Sequence, residues 1–195
     1  MARISLDPPR TLPYRVAERH ARRRYAGIVP DPGKAMAHNW RVLLTHLLQE
    51  AGVARWNRLD PTLKALAITA SAVRINCSWC VDFGYWEHTH AGIDPAKLRA
   101  VPTWRTSDLF GPLERSVMEF SEAATADPVE VTDEMVHELC AELGEPAMVE
   151  LAAVVALENQ RSRFNRALGL TSQGFGDHCA VPETGTAVDT EVDTE

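Results

Sequence analysis

From Met36 onward, apolar residues recur at spacings of three and four, and no alternating run long enough for a strand interrupts them. That period restricts the chain to packed amphipathic helices. The first stripe is Met36, Trp40, Leu43, Leu44, Leu47 and Leu48, which predicts one helix with one apolar face, closed by Gly52. Asp60-Pro61 then supplies an N-cap and a first-turn proline for a helix that runs through Leu63, Leu66, Ala70 and Val73 to Asn76. Further helices are expected from about Ser78 to Ala91, over Asp94–Ala100, and over residues 112–125 and 133–143. The last and longest begins at Glu145-Pro146 and reaches Leu168, apolar on much of its circumference. The fold class is therefore all-α.

The chain has 195 residues, enough for one domain with appendages and for a core that needs no covalent staples. Its net charge of −7 is unevenly spread. Residues 1–25 hold seven Arg against Asp7 and Glu18, while residues 171–195 hold six acids and no Lys or Arg. The organisation expected is an irregular N-terminal arm over 1–30, a helical domain over 31–170 and a disordered acidic tail over 171–195. The Arg22-Arg23-Arg24 run is the one feature favouring nucleic acid; an acidic body argues against it, and packing of the arm on the body or on a neighbouring subunit is the simpler expectation. No segment approaches the roughly 20 apolar residues that span a bilayer, and the N-terminus lacks a signal-peptide core. Four cysteines, unevenly spaced, do not make a secreted disulfide scaffold, so a cytoplasmic protein with no membrane partner is expected.

Chemistry concentrates in Asn76-Cys77-Ser78-Trp79-Cys80-Val81-Asp82-Phe83-Gly84. Two thiols three residues apart can close into a disulfide, and a helix starting beside them aims free N–H groups at sulfur, which favours thiolate. The competing reading makes both cysteines small core hydrophobes. A thioredoxin-type motif needs flanking strands, which this sequence lacks. Zinc held by Cys77, Cys80, His88 and His90 fails on geometry, because two histidines two apart on a helix point about 200° away from each other. No metal and no cofactor is expected. Cys140 and Cys179 are isolated.

The proline-started helix leading to Asn76-Cys-Ser-Trp-Cys-Val-Asp-Phe resembles the carboxymuconolactone decarboxylase family, in particular its alkylhydroperoxidase D branch. So do Ala91-Gly92-Ile93-Asp94, Leu113-Glu114-Arg115, Val131-Thr132-Asp133-Glu134, and Arg163 ahead of Ala167-Leu168-Gly169-Leu170. The resemblance covers about residues 34–170 and implies a helical bundle that forms homo-oligomers, as trimers or hexamers. It also implies a thiol-dependent peroxidase: Cys80 attacks a small hydroperoxide, Cys77 resolves the sulfenic acid as a disulfide, and a dithiol reductant restores the pair. Helix-end electrostatics alone favour Cys77 as the attacking sulfur. A non-catalytic redox-responsive oligomer and a cofactor-free lactone decarboxylase are the alternatives.

In the redox branch a glutamate twelve residues before the first cysteine and a histidine four after the second form a proton relay. Here those positions are Ala65 and Gly84. His88 and Glu87 follow two turns on, about 12 and 10 Å along the axis from Cys80, which predicts that neither reaches it within one subunit. Tyr85, Glu87 and His88 are accordingly expected on a solvated or subunit-facing surface. Asp82, if ionised beside the sulfur, would raise the thiol pKa. Arg161, Arg163 and Arg166 are expected in ion pairs or an interface, with Ser162 standing where the family often has asparagine.

Overall fold

A computed structural model describes residues 2–25 and 27–178. Nine α-helices are formed among them: α1 (Leu12–Arg24), α2 (Asp31–Met36), α3 (Trp40–Val53), α4 (Pro61–Ile75), α5 (Ser78–His90), α6 (Pro95–Ala100), α7 (Pro112–Thr125), α8 (Asp133–Leu143) and α9 (Glu145–Ala167). The described residues contain no strand, as the periodicity predicts. Within the N-terminal arm, α1 is regular, and its Thr11 cap accepts from the Tyr14 N–H.

Helix α4 is the axle of the bundle and packs chiefly against α7, α9 and α5. Its start is fixed by the Asp60 carboxylate, which accepts from the N–H groups of Thr62 and Leu63 at 2.8 and 3.2 Å. Ala65, Ala67, Ala70 and Ala72 are all buried and small, so neighbouring helices approach the α4 backbone closely. The hydroxyls of Thr69 and Ser71 are satisfied inside the helix, donating to the carbonyls four residues back. The main core joins Leu63 and Ala67 of α4 to Val117 and Phe120 of α7, Leu139 of α8, and Leu151, Val154 and Val155 of α9.

Two differences from the sequence pattern bear on function. The stripe expected as one helix from Met36 is broken, since Asn39 caps a new helix at Trp40. Of its face, Met36 and Leu43 are buried, whereas Trp40, Leu44, Leu47 and Leu48 are 50, 47, 46 and 65% exposed. Also, residues 171–178, assigned by composition to the tail, fold back onto α5 as a strap. The rest of the expected tail, residues 179–195 with Cys179, lies outside the described residues.

The strap is anchored by Asp82. Its carboxylate accepts from Ser172 Oγ at 2.8 Å and from the N–H groups of Gln173, Phe175 and Gly176 at 3.0, 3.1 and 2.7 Å. Glycine at 176 allows this close approach, because a Cβ there would stand 3.3 Å from Asp82 Oδ1 and 3.4 Å from the Tyr85 ring, and the neighbours would have to give by a few tenths of an ångström. Phe175 is fully buried, edge-on to Trp79, Phe83 and Tyr25. Gln173 ties the strap to its neighbours: its Oε1 accepts from both Trp79 Nε1 and the Asp31 N–H of α2 at 2.8 Å, and its Nε2 donates to the Val29 carbonyl of the arm at 3.3 Å. Replacing Phe175→Ala empties this aromatic pocket and is expected to lower unfolding free energy by about 3 kcal/mol. Urea unfolding of the oxidised protein measures it, and a change under about 0.5 kcal/mol, the range of ordinary surface substitutions, would contradict the packing described.

Candidate redox site

Helix α4 ends at Asn76, which takes the left-handed conformation (φ 60°, ψ 46°) that asparagine tolerates better than most residues. That single turn reverses the chain and makes Cys77 the N-cap of α5. The Cys77 N–H donates to the Ala72 carbonyl at 3.0 Å, and Cys77 Sγ accepts from the Cys80 N–H at 3.3 Å. Cys77 and Cys80 are bonded as a disulfide with Cα atoms 5.3 Å apart. Both are buried, at 0 and 7% exposure, among Ala72, Trp79, Trp86 and Phe175. The motif thus combines the two readings the sequence left open: the sulfurs are core atoms and a covalent pair.

From α9, the Asn165 side chain reaches the pair. Its Nδ2 donates to Cys80 Sγ at 3.3 Å and lies 4.0 Å from Cys77 Sγ. An amide donor aimed at sulfur stabilises the thiolate over the thiol. Above Asn165 on the same face of α9 stand Ser162 and Glu158, both buried. Ser162 Oγ donates to Glu158 Oε1 at 2.6 Å. Burial pushes the Glu158 carboxyl up to about 7, against the pull of Arg161 and of the Ser162 hydrogen bond. Arg161 Nη1 lies 3.6 Å from Glu158 Oε2, and the same guanidinium makes a two-point pair with Glu50 of α3, with Nε donating to Oε1 at 2.9 Å and Nη2 pairing with Oε2. The expectation of an ion-pairing role holds for Arg161; Arg163 and Arg166 are exposed.

The positions where a relay would be expected are filled otherwise. Ala65 is 1% exposed and packs with Ile93 and Leu98, leaving no place for a carboxylate. At Gly84, a side chain would begin 3.8 Å from His88 Cδ2 and 3.9 Å from His88 Nε2. The imidazole of His88 therefore folds back by one turn, as side chains tilt toward the helix N-terminus, and occupies the space beside Gly84. This corrects the solvated-surface assignment of Tyr85 and His88: the Tyr85 hydroxyl and His88 Nε2 are buried without a hydrogen-bond partner among the described residues, Cys80 included. Burial, with the nearby Arg161 charge, lowers the His88 pKa to about 4, so the ring is neutral. Glu87 lies 3.5 Å from Arg24.

Asp82 is turned toward the strap rather than the sulfurs. Burial pushes its carboxyl up, but hydrogen bonds from Gly176, Ser172, Phe175 and Gln173 outweigh that and hold it below the usual carboxylate range. A cavity of about 360 Å³ opens at the head of α5, lined by Ser78 between the two cysteines together with Arg3, Arg166, Gly169 and Leu170. The sequence pattern does not single out Asn165 and Glu158, and marks Ser162 only as a departure from asparagine, although the three are polar residues at spacings of four and three extending the stripe Leu151, Val154, Val155 of an otherwise apolar helix.

With this geometry established, comparison with known proteins places it. The sequence model of the Carboxymuconolactone decarboxylase family matches residues 43–123. The uncharacterized protein YnjA of Escherichia coli (strain K12) is 35% identical over 125 residues, 64% of this chain and 67% of that protein. Among solved structures, the debrominase Bmp8 in its apo form superposes with a TM-score of 0.76 at 19% identity, over 89% of this chain and 95% of that one. The alkylhydroperoxidase AhpD core of a peroxidase-related protein from Ralstonia eutropha JMP134 gives 0.77 at 15% identity, over 90 and 94%. A peroxidase-related protein from Silicibacter sp. TM1040 gives 0.76 at 14%, over 90 and 94%. At these identities the solved structures share the fold.

The buried neutral histidine has a consequence for stability. Between pH 6.5 and 4 the unfolded chain binds a proton at His88 that the folded chain does not, so stability falls as pH drops through that window. His88→Gln is expected to lose about 2 kcal/mol less than wild type between pH 7 and pH 4.5, read from urea unfolding of the oxidised proteins. Equal losses in the two proteins would contradict the neutral buried ring.

Proposed function

The chain belongs to the carboxymuconolactone decarboxylase family, and from that membership together with its Cys77–Cys80 pair we propose that it is a thiol-dependent, peroxidase-like oxidoreductase. The observation that carries this reading is the disulfide at the head of α5 with the Asn165 amide hydrogen-bonded to Cys80 Sγ. Two cysteines one helical turn apart, next to a donor that stabilises thiolate, are suited to cycling between dithiol and disulfide.

In the reduced protein the Cys80 thiolate attacks the terminal oxygen of a small hydroperoxide; the O–O bond breaks, giving Cys80 sulfenic acid and, after protonation of the leaving alkoxide, an alcohol. The Cys77 thiol then attacks the sulfenic sulfur, forming the disulfide and releasing water. A dithiol reductant returns both cysteines to thiols, itself becoming a disulfide. Asn165 supports the choice of Cys80, since its Nδ2 is closer to that sulfur than to Cys77 Sγ.

Oligomer formation completes the reading. Trp40, Leu44, Leu47 and Leu48 on α3 are 46 to 65% exposed, and a second copy of this chain covering them removes that surface from water. Light scattering is expected to give a mass of at least two chains for wild type and a smaller mass for Leu48→Glu; a monomeric wild type would exclude it.

Cys80→Ser is expected to abolish hydroperoxide consumption under a dithiol reductant. Asn165→Ala is expected to raise the Cys80 thiol pKa by about 1 unit, the value of one hydrogen bond to a charged group, and to slow turnover about 10-fold at pH 7. Consumption by Cys80→Ser at the wild-type rate would refute the assignment.

A further inference from the structure

Of the buried polar row on α9 only Asn165, which ends on the reacting sulfur, takes part in the cysteine chemistry; Glu158 and Ser162 behind it do not. Glu158, Ser162 and Asn165 stand at i, i+4 and i+7, spanning about 10 Å of helix at 1.5 Å per residue. All three are buried, at 3, 0 and 2% exposure, in a helix whose neighbouring face is Leu151, Val154 and Val155. A carboxyl, a hydroxyl and an amide placed in that environment are unfavourable unless paired, and two of the contacts are made: Ser162 to Glu158 at 2.6 Å, and Asn165 to Cys80 at 3.3 Å. Between these two contacts the row is interrupted, since Asn165 and Ser162 share no hydrogen bond. Two further polar atoms, Asn165 Oδ1 and His88 Nε2, are buried there without partners among the described residues.

We propose that Glu158 is the proton-holding partner of Cys80, a positioning residue that takes the role left open by Ala65 and Gly84. This rests on the oxidoreductase reading. In the reduced protein the Glu158 carboxylate takes up the proton of the Cys80 thiol, leaving thiolate beside the Asn165 amide and a neutral carboxyl further along α9. The exchange moves one proton and no net charge, so the buried site never carries two anions. When the hydroperoxide O–O bond breaks, the proton returns to the departing alkoxide and Glu158 is again a carboxylate.

The groups facing Glu158 fit this role. Arg161 lies 3.6 Å away on its own helix, and Glu50, which also pairs with His46 at 3.7 Å, shares that guanidinium from α3. From α5, His88 and Glu87 both feel the Arg161 charge. Arg161 is therefore divided among several acids and does not hold Glu158 fully ionised. Burial carries the carboxyl to about 7, where acid and base forms are both present at neutral pH.

The test is pH-dependent alkylation of the reduced full-length protein by iodoacetamide, with Cys80 read by mass. Coupled groups lose their protons in two shared steps. Wild type is expected to show a first rise in Cys80 reactivity near pH 7 and a second at higher pH. Glu158→Gln is expected to show one step near the ordinary thiol value of about 8.5, with Cys80 reactivity at pH 7 reduced on the order of 10-fold. Glu158→Asp, which keeps a carboxyl, is expected to retain two steps. A Glu158→Gln profile superimposable on wild type would overturn the proposal. Should Glu158→Gln not fold, Ser162→Ala serves: loss of the first step supports the coupling and an unchanged profile overturns it. Because alkylation needs no hydroperoxide, a protein with the Glu158-dependent step and no hydroperoxide turnover contradicts the peroxidase reading alone.

Discussion

Everything of functional interest follows from one turn of backbone. Asn76 in the left-handed region ends α4 and turns the chain so that Cys77 caps α5, which puts Cys77 and Cys80 on the first turn of a helix with their sulfurs joined. A helix start is rich in unpaired N–H groups, and one of them, from Cys80, is spent on Cys77 Sγ. The same turn delivers Trp79, Phe83 and Trp86 along α5, and these make the aromatic floor on which Phe175 of the strap rests. The cysteine pair and the seat of the strap are thus two products of one helix start.

The second constraint is that the pair is enclosed. Burial by itself favours the thiol over the thiolate, so a reactive cysteine in such a place needs donors that follow it inside. Asn165 is that donor. Its own enclosure is made tolerable by the position of α9, packed on α4 and α5 at once, where the polar row Glu158, Ser162, Asn165 faces inward and Arg161 turns aside to Glu50. The solved structures share the fold at 14 to 19% identity, so the helical frame tolerates wide exchange of side chains.

Much of the fold was legible. Asp60-Pro61, Asp94-Pro95, Thr132 and Gly144 mark helix ends in the sequence, and the structure uses each. The cysteine pair was legible as a motif and as a resemblance. What the sequence did not show was reach and return. Helical rise fixes the His88 Cα, whereas the imidazole packs one turn back, beside Gly84. The polar row of α9 was hidden because a helix that is mostly apolar reads as core, and three polar residues within it change no period. The strap was hidden because Gly174, Gly176 and Ser172 look like linker composition; their value lies in letting backbone N–H groups crowd around Asp82, a contact made across about 90 residues of chain.

The central claim is that Cys77 and Cys80 form a working redox couple rather than a staple. It is tested most directly by equilibrating the native protein with graded ratios of a small dithiol and its disulfide, counting free thiols by mass and following folding by circular dichroism. The account predicts that both thiols appear together in a reversible two-electron transition while the helical signal stays intact. A bond that opens only under conditions that unfold the bundle would contradict it.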